Sequence, residues 1–329
     1  MNLLLIILTV IMGLGVGWSI GANDAANSLG AAVGSRAITL KRAILLICVF
    51  GFLGAFLQGS HVARTIGRGI VPIDRLDKTL AAYVALVACF AACSWIVIAT
   101  YWKMPISTSH SMVGAVAGAG VAIGAPVKWK MLVDIFTCWI LTPIGAAILG
   151  FIFCVLFLNT LQLIVPRRYM RQTLTILIIL SGCYVAYSWG ANDVANATGV
   201  MAGAGILAPK VSIILGGFAI LVGITTWGYK VIETVGSEIT SLLPVMAFSA
   251  QLASAVNVHI YTLFGIPVST SHSIVGAIVG VGLVRGLKVL NLSIMRDMVL
   301  CWMATPFISG IISFLALKGL MLFIKIQLQ

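Results

Sequence analysis

"WSIGANDAAN", residues 18–27, sets Asp24 between Asn23 and Asn27 inside an apolar run that begins at Leu3, and it returns at 188–199 as "SWGANDVANATG". The repeat pairs Gly21 with Gly190, Asn23 with Asn192, Asp24 with Asp193 and Asn27 with Asn196. Two further stretches recur in the same order. "MPISTSHSMVGAVAGAG" (104–120) returns as "IPVSTSHSIVGAIVGVG" (266–282), and "CWILTP" (138–143) as "CWMATP" (301–306). Self-similarity on this scale means that the chain is written twice, and the fold follows from that.

The composition says where the two copies reside. Of 329 residues, 61% are hydrophobic and only 9% charged, against about a quarter charged in soluble domains. Apolar stretches of spanning length, about 20 residues, are read at 3–33, 43–63, 79–101, 105–126 and 131–165, then at 173–208, 211–229, 239–263, 267–284 and 293–325. The expected fold is therefore an all-α polytopic membrane protein with an N-terminal repeat (1–165), a linker (166–172) and a C-terminal repeat (173–329). Five segments per half is an odd number, so the second copy runs through the bilayer upside down if every segment crosses. Inverted repeats of this kind hold their ligands near the midplane on broken helices or re-entrant hairpins.

The net charge of +12 lies in short loops between apolar segments. It fits anionic lipid headgroups or an anionic substrate and excludes a nucleic-acid partner. The N-terminal run has neither a basic flank nor a small-residue cleavage site, so it is read as retained in a multi-pass protein of the cell membrane. The seven cysteines lie in apolar segments without a C-x-x-C pair and read as small hydrophobes. Asp134 and Asp297 are expected as first-turn charges and the two Thr-Pro pairs as kinks.

Intramembrane carboxylates are costly and mark ion pathways. Asp24 and Asp193, each flanked by carboxamides, form a hard-oxygen set that suits Na⁺, with a proton as the alternative; the adjacent glycines would let the helix unwind. In the P-x-S-T-S-H-S element, Pro105 or Pro267 ends what precedes it and Ser107 or Ser269 caps a new helix. Free N–H groups, hydroxyls and the helix dipole then make an anion site. His110 and His272 fit three roles there: anion donor, proton carrier or structural hydrogen bond. "VARTIGRGI" (62–70) aligns with "VIETVGSEI" (231–239), setting Arg64 opposite Glu233 as a prospective ion pair that gates or couples the path.

These paired motifs, with "KVIETVG", resemble the inorganic phosphate transporter family of phosphate permeases and sodium–phosphate symporters, over nearly the whole chain. The resemblance implies cation-coupled phosphate uptake by alternating access, no enzyme activity and no cofactor beyond the coupling Na⁺ or H⁺. It implies Asn23, Asp24, Asn27, Asn192, Asp193 and Asn196 as cation ligands, with Asp24 and Asp193 holding the metal if the ion is Na⁺. Ser107, Thr108, Ser109, Ser269, Thr270 and Ser271 become the phosphate ligands. The chain lacks the large central loop of eukaryotic members and so looks prokaryotic, and homodimers occur by the same resemblance. Arg64 stands where the family has an acidic residue, which keeps a sulfate permease of the same family in view. An intramembrane aspartyl protease is the reading from a different class; its dyad needs carboxylates that share a proton, and it leaves the S-T-S-H-S repeat unexplained.

Overall fold

A computed structural model describes residues 2–34, 37–102, 104, 106–229, 243–284, 286 and 292–327. Twelve α-helices lie among them: α1 Leu3–Asp24, α2 Ala26–Gly34, α3 Leu40–Gln58, α4 Ser60–Arg64, α5 Lys78–Tyr101, α6 Thr108–Ala122, α7 Trp129–Ile164, α8 Arg167–Gly203, α9 Pro209–Gly223, α10 Pro244–Leu263, α11 Thr270–Leu283 and α12 Leu292–Gln327. Thr65–Gly69 and Ile224–Gly228 are single π-turns, and the described residues contain no strand. Residues 167–172, read as linker, form the opening turns of α8.

Seven helical spans among the described residues are long and apolar enough to cross a membrane, fewer than the ten apolar stretches. The reason is local. Ser107 and Ser269 start new helices late, leaving α6 with 15 residues and α11 with 14. At 1.5 Å per residue these reach about 22 and 21 Å, short of a hydrocarbon core of about 30 Å. α10 has the length but buries Ser249, Gln251, Ser254, Asn257 and Thr262, so its inner face is polar. Around this centre, α7 turns Ile140, Ile144 and Ile148 outward and α12 turns out Met303, Phe307 and Ile311, stripes at one-turn spacing that suit lipid.

The half-helices pack across the two copies. A Cβ on Gly114 of α6 would run into the carbonyl oxygen of Pro306 in α12, and one on Gly276 of α11 into that of Pro143 in α7. Small residues that bring backbones together are the usual device where lipid removes the hydrophobic drive between helices. The contacts of one copy thus recur in the other with the partners exchanged. Asp134 and Asp297 differ from expectation: neither α7 nor α12 has an acid in its first turn. Asp297 instead pairs with its exposed neighbour Arg296 at 2.9 Å.

Candidate functional site

Each short helix begins on its serine. The Ser107 hydroxyl accepts the N–H of His110 and the Ser269 hydroxyl that of His272, both at 3.2 Å, so one orphan donor of each N-terminus is satisfied. The next two residues then point at the carboxylates. Asp24, 2% exposed, accepts from Thr108 Oγ1 at 3.0 Å, from Ser271 Oγ at 3.2 Å and from Asn27 Nδ2 at 3.3 Å. Asp193, 1% exposed, accepts from Thr270 Oγ1 at 3.3 Å and from Asn196 Nδ2 at 3.3 Å, and from Ser109 Oγ at 3.2 Å, a hydroxyl whose one proton is shared with the Val268 carbonyl at 3.0 Å. Threonine serves the aspartate of its own half and serine that of the other.

The two sets of residues read separately from the sequence therefore form one buried cluster. Asn27 and Asn196 also donate to Ser271 and Ser109, at 2.9 and 3.0 Å. Only neutral donors face the carboxylates: the ion pairs among the described residues, Arg68–Asp74 and Arg296–Asp297, lie elsewhere. Two buried carboxylates without a cationic partner among the described residues are costly in their charged forms. Beside them the carboxamide oxygen Oδ1 of Asn196, fully buried, has no hydrogen-bond donor. An acceptor oxygen left bare next to a carboxylate suits a cation.

Asn23 and Asn192 do different work. Asn23 Nδ2 donates to Thr100 Oγ1 at 2.7 Å and Asn192 Nδ2 to Thr262 Oγ1 at 3.0 Å. Asn192 also donates to the Ile266 carbonyl (3.2 Å) and accepts the Val268 N–H (3.3 Å), which fixes the loop leading into α11. Their amides tie the signature helices to α5 and α10. The matching Thr100 and Thr262, each five residues before a motif proline, went unread in the sequence although their shared position marked them.

The histidines answer a question set by the prolines. A proline inside a helix leaves the carbonyl four residues earlier without its N–H, which for Pro143 and Pro306 means Trp139 and Trp302. His272 Nδ1 lies 3.4 Å from the Trp139 carbonyl and His110 Nδ1 3.1 Å from that of Trp302. Both carbonyls need a donor, which assigns the proton to Nδ1. Each ring packs on the indole of the tryptophan whose carbonyl the other histidine serves: His110 on Trp139 with centroids 3.5 Å apart, His272 on Trp302 at 3.8 Å. The indole N–H of Trp139 donates to the Pro267 carbonyl at 2.9 Å. Glycine at 21 and 190 permits close helix crossing, since a Cβ there would meet the carbonyls of Ile220 and Gly51. It does not unwind α8, which runs unbroken through Asp193; in the first copy the helical bonding pattern is interrupted at Ala25, with dihedrals that stay helical (φ −55°, ψ −33°). Arg64 is exposed at the end of α4, while Glu233 and Pro105 lie outside the described residues.

The phosphate transporter family model matches residues 20–313. A relative named as a phosphate permease from Pyrococcus abyssi is 34% identical over 95% of this chain and 97% of its own length. The chloroplastic inorganic phosphate transporter 2-1 of Arabidopsis thaliana is 28% identical over 90% of this chain and 69% of its own. A solved structure described as the sodium-dependent phosphate transporter superposes with a TM-score of 0.86 at 30% identity, over 97% of this chain and all of that one. Sequence matched from end to end and a fold shared at that level make this multi-pass membrane protein a member of the phosphate transporter family, a family of transporters and not of enzymes.

Proposed function

We propose that this chain imports inorganic phosphate by Na⁺-coupled symport with alternating access, Asp24 and Asp193 holding the cation. The single observation that carries the reading is the pair of buried carboxylates fed only by neutral donors, with the bare Asn196 Oδ1 beside them. Aspartate, carboxamide and hydroxyl oxygens are the donor set of a hard cation. The structural neighbour described as sodium-dependent favours Na⁺ over a proton.

The hydrogen bonds suggest how the cation is coupled to the anion. Thr108, Ser271, Ser109 and Thr270 now give their protons to the two aspartates. A cation on the carboxylates takes over that charge, and the hydroxyls turn to the oxygens of phosphate, joined by the N–H groups of the two half-helices and the caps Ser107 and Ser269. Cation first and anion second is the resulting order. The two repeats, 1–165 and 173–329, rock about this centre; the exchanged contacts of α6 with α12 and α11 with α7 support an inverted pair. The sulfate reading left open by Arg64 gains no support from the relatives, which are named for phosphate.

Uptake of radiolabelled phosphate into proteoliposomes tests this, with an inward Na⁺ gradient, with a proton gradient alone, and with labelled sulfate in parallel. Sodium-driven phosphate uptake that disappears in Asp24→Asn is the expected result. Uptake driven as well by protons alone, or indifferent to Asp24, would overturn the sodium assignment.

A further inference from the structure

Away from the carboxylates a cavity of about 280 Å³ opens between α4 with its π-turn, the end of α8 and the start of α9. Arg64 and Arg68 line one wall, with Ser60; Thr198 and Gly199 line another, and Pro209 closes the third. The volume equals about nine waters at roughly 30 Å³ each, room for a tetrahedral oxyanion with part of its hydration. The remaining walls are glycine, alanine and Ile213, so among the described residues Arg64 and Arg68 are the charged ones that line it.

Their charge is poorly neutralised. Arg68 Nε lies 3.6 Å from Asp74 Oδ2 in a pair whose side chains are 60% and 34% exposed, a contact worth little in water. Among the described residues no carboxylate pairs with Arg64. Guanidinium is the side chain whose fork of donors matches phosphate oxygens two at a time.

The cavity and the central site are joined through α8. Gly199 follows Asp193 on α8 by about 9 Å at 1.5 Å per residue. Thr65, the first residue of the π-turn, donates to the carbonyl of Gly265 at 2.6 Å; the next residues are Ile266 and Val268, which hold Asn192. Single π-turns of this sort frequently occur at functional positions.

We propose that this cavity is a second oxyanion site, in which Arg64 and Arg68 take a phosphate group, either free orthophosphate or the headgroup phosphate of an anionic phospholipid. Free orthophosphate as the occupant rests on the transport reading above; the chemistry of the site does not. A docked phosphate there raises the local substrate concentration beside the path, whereas a lipid phosphate tethers α4 and α8 to the bilayer.

The test is equilibrium binding of radiolabelled orthophosphate to the purified full chain in phosphatidylcholine nanodiscs at low salt, with and without Na⁺. A sodium-independent component is expected that weakens at least tenfold in Arg64→Gln/Arg68→Gln and by a smaller factor in Arg64→Lys/Arg68→Lys, which keeps the charges and loses the fork. In nanodiscs containing phosphatidylglycerol, loss of that component together with arginine-dependent retention of the lipid in native mass spectrometry identifies the lipid as the occupant and supports the same site. Phosphate binding and phosphatidylglycerol retention that are both indifferent to the two arginines overturn the proposal. Asp24→Asn separates this outcome from failure of the transport reading, because it acts on the sodium-dependent component alone.

Discussion

The two signature helices carry the same seven-residue pattern and are built differently. After Asp24 the helical bonding pattern is interrupted at Ala25, whose dihedrals stay helical (φ −55°, ψ −33°), Asn27 remains partly exposed, and Asn23 is held by one hydrogen bond. Around Asp193 the 37-residue α8 is unbroken, Asn192 and Asn196 are fully buried, and Asn192 makes three hydrogen bonds. A duplicated motif has become one fixed side and one looser side.

Seven substitutions break or sharpen this contrast. Asp193→Asn and Asp24→Asn should each lower sodium-driven phosphate uptake roughly hundredfold, about 2.7 kcal/mol of transition-state free energy, while the protein still folds, since a neutral amide costs less to bury than a charge. Uptake retained in one variant and lost in the other would show that only one side of the pair binds the ion. Gly190→Ala, which drives a methyl into the Gly51 carbonyl, is expected to cost about 3 kcal/mol. Gly319→Ala, with open space around it in α12, should instead stabilise by about 0.5–1 kcal/mol; thermal unfolding in detergent reads both.

Asn192→Ala should cost about 2 kcal/mol and Asn23→Ala about 1 kcal/mol, because three hydrogen bonds are lost in one case and one in the other. Equal midpoints of chemical unfolding would remove the distinction between fixed and loose sides. The smallest effect concerns how the two hairpins begin. α5 is capped by exposed Asp77, whose carboxyl is held below the usual aspartate range by the backbone N–H groups of Thr79 and Leu80, whereas α10 begins on Pro244 without a side-chain cap. A lowered folded value means that the ionised cap contributes fully above the ordinary aspartate pKa of about 4 and is lost as pH falls through the lower one. The melting-temperature gap between wild type and Asp77→Ala should thus stay constant near neutrality and close in acid; a gap independent of pH would show that the charge plays no part.

Much of this was legible in one dimension. The duplication, the helical class and the membership of nearly every polar residue at the centre follow from motifs whose copies match. The serine caps were legible too, since a Ser placed after a proline and before a helix has one backbone task available. What the sequence hides is who serves whom. That Ser109 reaches Asp193 and Ser271 reaches Asp24 depends on how two halves fold together, and no local pattern encodes it. The histidine contacts occupy a middle position. The prolines at 143 and 306 announce that Trp139 and Trp302 have carbonyls to spare, but only packing brings His272 and His110 to them.

The crosswise exchange of donors bears on the ancestry of such a molecule. Half of this chain is not a smaller transporter, because each aspartate draws a hydroxyl from the other copy and a lone repeat has no complete centre. An ancestral single-length gene would have had to work as a pair of identical subunits, in which every mutation struck both sides of the site at once. Two copies in one reading frame are free of that constraint. Arg64 can then occupy the position that aligns with Glu233, and Trp95 the one that aligns with Asn257, so that the two copies of the sequence are open to separate selection.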